Sequence, residues 1–155
     1  MADKQDAIAL LKADHRKVEE LFERFENARG EGSKQKIALD ICLELTVHAQ
    51  IEEDLLKEAY VEHDGAKVLI AEIEAGAPSD EFYDAKVKVL SEQIEHHVEE
   101  EEKRMEGMFS QARHAGLDMD ALGDQLRARK EELTAHYKAN GLTKPETTTL
   151  TEATV

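Results

Sequence analysis

ELTVHAQIEE (residues 44–53) and HHVEEEE (residues 96–102) each carry a histidine with a glutamate four positions later: His48 with Glu52, and His97 with Glu101. Residues four apart lie on one helix face, one turn along. Both pairs continue apolar stripes of helical period. Ile37, Ile41 and Leu45 lead into His48, and Leu90 and Ile94 lead into His97, with Met105 and Met108 beyond. Each pair therefore aims an imidazole and a carboxylate at whatever its helix packs against. Glutamate is almost never fully buried unless it is paired or bound to a metal. Two such pairs on two core-facing stripes point to a metal site inside a helix bundle.

Working outward, the periodicity predicts a first helix over about Asp6 to Ala28, with the stripe Ile8, Leu11, His15, Val18, Phe22, Phe25. GEGS (residues 30–33) reads as a turn, with Ser33 as the N-cap of a helix starting near Lys34. A third helical stretch covers His63 or Gly65 to Ala75, until EAGAPSDE (residues 74–81) breaks it. A long helix follows over about Asp80 to His114, ended by Gly116. Asp118 then caps a fifth helix, about Met119 to Lys138, with Leu122, Leu126, Leu133 and Tyr137 on one side. These elements make one helical domain over about residues 1–139, and the polar tail, residues 140–155 with LTKPETTTLTEATV, is expected to stay disordered.

Composition agrees with an all-α domain: 155 residues, 41% hydrophobic, no Trp and two Pro. The net charge of −15 argues against nucleic acid and anionic membrane surfaces as partners. Cys42 is the sole cysteine, which excludes an internal disulfide and reads as a small buried residue. The N-terminal residues show no signal-peptide pattern, and no apolar run approaches the roughly 20 residues of a membrane helix. A soluble cytoplasmic protein is the expectation.

Polar residues interrupt the stripes at His15, His48 with Glu52, His63, and His97 with Glu101. Any one buried histidine is more often simply hydrogen-bonded than a ligand. Six such positions in register are harder to explain that way, because burying two carboxylates without cations costs several kcal/mol each. Lys67 is the obvious basic residue near these stripes. Mixed imidazole and carboxylate donors suit iron, manganese or zinc better than calcium or magnesium. Six donors would crowd one ion, so two ions bridged by carboxylates fit better. Of the run Glu99 to Glu102, Glu101 is the expected ligand and the others a solvated face. His96, His114 and His136 are expected outside the site, although a rotated helix would bring in His96 with Glu100. The Glu-x-x-His signature of ferritin-like di-iron bundles is absent, as are His-Glu-x-x-His and Cys-x-x-Cys.

DHRKVEELF (residues 14–22), ELTVHAQIEE, AYVEH (59–63), AKVLIAEIEA (66–75), DAKVKVLSEQI (84–94) and HHVEEEE together resemble the bacterial hemerythrin-like proteins, or HHE cation-binding domains. The resemblance covers about residues 6 to 112. It implies an up-down antiparallel four-helix bundle, here with an added C-terminal helix. It also implies a non-haem di-iron centre bridged by oxo or hydroxo and carboxylate groups. Its metal ligands would be His15, His48, Glu52, His63, His97 and Glu101, with Glu52 and Glu101 as the bridging carboxylates. The implied partner is a small ligand such as O2, NO or peroxide, with roles in oxygen or redox sensing or stress protection.

Two departures from the family pattern bear on this. Lys67 stands where oxygen-carrying relatives have a further histidine, which tilts the reading from reversible O2 carriage toward redox or peroxide chemistry. The segment after Glu52 is also short. His48 and His63 would lie about 22 Å apart on an unbroken helix, and no Gly or Pro occurs between Ser33 and Gly65. Either the chain makes a tight hairpin around Asp54 to Tyr60, or His63 is not a ligand in the same subunit. A long fused helix would invite a domain-swapped homodimer in place of a monomer. Three functions follow: a di-iron ligand binder, a di-iron enzyme of peroxidase, catalase-like or NO-reducing type, and a metal-free helical module.

Overall fold

A computed structural model describes residues 6–55, 62–116 and 118–142. Among these the chain forms five α-helices and no strand: α1 (Ala7–Asn27), α2 (Glu31–Leu55), α3 (Asp64–Ala75), α4 (Tyr83–His114) and α5 (Met119–Asn140).

Local signals set most of the helix ends. Asp6 caps α1, its Oδ1 accepting from the Ala9 N–H at 2.9 Å. Gly30 adopts φ 89°, which an ordinary side chain resists. Its carbonyl then accepts from the Lys34 N–H at 3.2 Å, so α2 begins at Glu31. The expected Ser33 cap is thereby corrected: Ser33 lies inside the first turn, and Glu31 is the acidic residue favoured at that helix end. The start of α4 is likewise later than the periodicity predicts. Asp80 Oδ2 accepts from the Ala77 N–H at 2.8 Å and its carbonyl from the Tyr83 N–H at 3.2 Å, which holds a turn until Tyr83. Asp118 caps α5 as expected, accepting from the N–H groups of Asp120 and Ala121 at 3.1 and 3.0 Å.

Packing closes a ring: α1 on α2, α2 on α3, α3 on α4, and α4 back on α1, while α5 lies outside against α1 and α2. Short connections between consecutive helices make the ring up-and-down. The apolar core falls into two parts. One is built from Val18 to Phe25 of α1, Ile37 to Leu45 of α2, Ile70 and Ile73 of α3, and Tyr83 to Leu90 of α4. The other joins Ala7, Leu10, Leu11, Val47, Ile51 and Met105 to Met119, Leu126 and Leu133 around α5. Along α1 and α4 the polar positions His15, His97 and Glu101 fall between these parts, while on α2 His48 and Glu52 alternate with Val47 and Ile51 of the second. Cys42 is buried in the first part, and burial together with Glu74 pushes its thiol pKa up to about 12. No described helix is long and apolar enough to cross a membrane.

Candidate metal centre

The polar layer is deeply buried: His15, His48, Glu52, His63 and Glu101 are all core residues, and the His97 side chain is 21% exposed. His63 has joined it. Its Nε2 lies 2.9 Å from Glu52 Oε2, which an unbroken helix from Glu52 could not achieve. α2 ends at Leu55, and α3 packs beside it from Asp64. Residues 56–61, which hold most of the hairpin expected around Asp54 to Tyr60, lie outside the described residues.

All four rings turn Nε2 inward. His15 Nε2 stands 3.1 Å from His48 Nε2, 3.6 Å from Glu101 Oε2 and 3.8 Å from Glu52 Oε1. His48 Nε2 is in contact with Glu52 Oε1. On the other side of Glu52, Oε2 faces His63 and also His97, the latter at 3.7 Å, and His97 Nε2 lies 3.0 Å from Glu101 Oε2. Two donor groups thus share Glu52: His15, His48, Glu52 and Glu101 in one, and Glu52, His63 and His97 in the other. Within each, the ligating atoms lie within 4.8 Å of one another. Glu52 is the carboxylate common to both groups, while Glu101 stands in the first.

Behind the rings runs a belt of carboxylates. His48 Nδ1 donates to Asp14 Oδ2 at 3.0 Å, and His15 Nδ1 to Glu102 Oε1 at 3.1 Å. His63 Nδ1 has Glu53 at 3.4 Å, and His97 Nδ1 has Glu62 at 3.9 Å. An ionised carboxylate can only accept, so Asp14 and Glu102 fix the Nδ1 proton and leave Nε2 to face the centre. The belt passes from helix to helix around the ring. Asp14 of α1 serves His48 of α2, and Glu53 of α2 serves His63 at the start of α3. Glu62, just before α3, faces His97 of α4, and Glu102 of α4 serves His15 of α1. Each belt carboxylate meets a cation: Lys130 at Asp14, Lys67 at Glu53 (2.5 Å), Arg104 at Glu62 (2.8 and 2.9 Å), and Arg16 at Glu102 (2.5 Å).

Electrostatically the layer demands positive charge. Burial alone would lower the pKa of His48, but the charge of Glu52 and the hydrogen bond to Asp14 outweigh it and carry it up to about 10. Burial is likewise outweighed at His15, by Glu101 and Glu52, and at His97, by the same two carboxylates; both rise to about 9. His63 is also raised, chiefly by Glu52 against its burial. Burial pushes Glu52 upward, yet the charge of His48 and the surrounding imidazoles hold it well below the carboxylate range. Something positive must sit here, whether protons on the rings or a metal ion.

The donors fit an ion better than protons. Glu52 Oε1, Glu101 Oε2 and His97 Nε2 are buried without a hydrogen-bond partner, although imidazoles and carboxylates crowd them. Two ligands about 2.1 Å from one ion and at right angles to each other stand about 3.0 Å apart. The spacings His15 to His48, His63 to Glu52 and His97 to Glu101 (3.1, 2.9 and 3.0 Å) match that figure.

His96, His114 and His136 are exposed, and His96 pairs with Glu100 at 3.4 Å on the outer face. Glu99 and Glu100 are solvated, but Glu102 is not: it belongs to the belt. Sequence reading missed Asp14, Glu53, Glu62, Lys130, Arg16 and Arg104. The available signal was adjacency, since each belt carboxylate is the chain neighbour of a residue in the buried layer. Lys67 does not stand in for a ligand; its ammonium binds Glu53 behind His63.

A helix ring enclosing imidazoles and carboxylates of this geometry defines a cation-binding bundle. The chain belongs to the hemerythrin HHE cation binding domain family, which matches residues 6–109. It is also 29% identical over 119 residues to a protein of Nostoc sp. described as a DNA nickase; the match covers 67% of this chain and 34% of that protein. The chain therefore spans about one third of the length of that relative. No solved structure matches it.

Proposed function

We propose that the layer holds two non-haem iron ions and that the protein binds O2 or a related small ligand such as NO or peroxide there. The supporting observation is the convergence of four inward Nε2 atoms on Glu52 and Glu101, with buried lone pairs left over. His15 and His48 would hold one ion, His63 and His97 the other, and Glu52 and Glu101 would bridge them. A redox-active pair with an open position supplies ligand binding and electron exchange. The chain's own residues do the rest: Asp14 and Glu102 fix the rings of His48 and His15. A role in sensing or stress protection belongs to this same reading. DNA is not the proposed partner, because a net charge of −15 repels its phosphates.

His48→Ala and Glu101→Ala should each lose metal, whereas His96→Ala, on the exposed face, should keep it. Full metal content in both buried-site variants would refute the reading.

A second reading, a di-iron enzyme that turns over peroxide or NO, draws on a cavity of about 830 Å3 lined by His15, His48, Glu52, His63, His97 and Lys67, among others. That volume far exceeds a diatomic ligand and admits a substrate together with water. Steady turnover above a metal-stripped control would favour it over simple binding. The metal-free helical module is disfavoured by the buried atoms without partners.

A further inference from the structure

The belt has one irregularity. Three of its carboxylates take their cation from the helix whose histidine they serve: Arg16 with His15 on α1, Lys67 beside His63 on α3, and Arg104 with His97 on α4. α2 cannot follow this rule, because it carries no Lys or Arg after Lys36. At Asp14, which serves His48 of α2, the cation is Lys130 of α5. α5 lies outside the span matched by the family, residues 6–109. It is nevertheless registered against α1 and α2 by side chains on either side of Lys130. Leu126 and Leu133 pack with Leu10, Leu11, Val47 and Ile51, Arg129 reaches Asp54 at 3.2 Å, and the Tyr137 hydroxyl donates to Gln50 at 2.6 Å.

We infer that α5 is part of the metal centre and that Lys130 is a positioning residue: through Asp14 it orients His48 and sets the affinity of the ion held by His15 and His48. Asp14 is 3% exposed, so without Lys130 its other oxygen would lack a counter-charge, and it would shift away from His48. Among the described residues, the carboxylates behind His63 and His97 take their cations from α3 and α4, so that position, coupled to the first only through the shared carboxylates, should respond less. This inference rests on the proposed metal pair. Loss of an outer partner of a ligating histidine typically weakens metal binding about 10–100-fold.

The test is anaerobic titration of the full chain with ferrous iron against a competing chelator, for wild type, Lys130→Met and Lys130→Arg. Lys130→Met should weaken one of the two ions by about 10–100-fold and the other clearly less, with Lys130→Arg restoring most of the loss. The metal-free melting temperature is read in parallel. A second variant, Asp14→Asn with Lys130→Met, removes the buried unpaired charge and should recover that melt without recovering the affinity. If Lys130→Met lowers the metal-free melt but both ions bind as in wild type, Lys130 is merely structural and the inference fails. Unchanged behaviour in both readouts overturns it as well. If wild type itself binds no iron, the proposed function fails first, and that outcome is distinct from either.

Discussion

His48 sits between Glu52 and Asp14, and that placement fixes how the layer answers to pH. His15, His48 and His97 have folded pKa values of about 9, 10 and 9, above the ordinary 6.5 of histidine. Groups raised on folding contribute stability that is complete below about pH 6.5 and is lost as the pH rises through about 9 to 10. Glu52, held low, acts in the other direction, its contribution vanishing only in acid. Metal-stripped protein should therefore have a lower urea midpoint at about pH 9.5 than at about pH 6.5. Equal midpoints would show that the rings do not carry the protons assigned to them. Ions require deprotonated rings, so metal should be released as the pH falls, which dialysis at stepped pH would detect. At this scale His15, His48, Glu52, His63, His97 and Glu101 were legible because each broke an apolar stripe. The belt was not, since Asp14, Glu53 and Glu102 look like ordinary surface acids until neighbouring helices are in place.

Among the elements, α2 does the most. Ile37, Ile41 and Leu45 face the ring, while Val47 and Ile51, one step round, face α5. A helix buried on two sides blurs its own periodicity, so a single inward stripe understates what covers it. Leu10 of α1, also off its stripe, is buried for the same reason. Leu126→Ala should accordingly cost about 2–5 kcal/mol, as in a bundle core, and chemical denaturation measures it. A loss under about 0.5 kcal/mol, the surface value, would mean that α5 is only loosely attached. The turn before α4 has its own constraint. A Cβ at Gly76 would lie 2.9 Å from Asp80 Oδ2 and 3.0 Å from the Glu72 carbonyl, so Gly76→Ala should destabilise by about 1–3 kcal/mol in the same assay. Helix existence was readable from period and caps. The return of α3 beside α2 was legible only as one of two alternatives, because no Gly or Pro lies between Ser33 and Gly65. The pull of His63 onto Glu52 is a tertiary effect that local propensity does not encode.

For the whole molecule, one polar layer between two apolar core regions makes stability and metal binding a single equilibrium. An ion that binds only the folded chain adds about 2.7 kcal/mol at a hundred times its dissociation constant. For a chain of this size that corresponds to a rise in melting temperature of roughly 5–11 °C. A melt indifferent to added ferrous iron would favour a helical module over a metal protein. The most direct measurement is metal analysis of freshly purified protein, with absorption spectra recorded before and after addition of azide. Two iron ions per chain, with near-ultraviolet charge-transfer bands that shift on azide, are the predicted result. A chain that holds no iron, and whose spectrum ignores azide, would contradict the account.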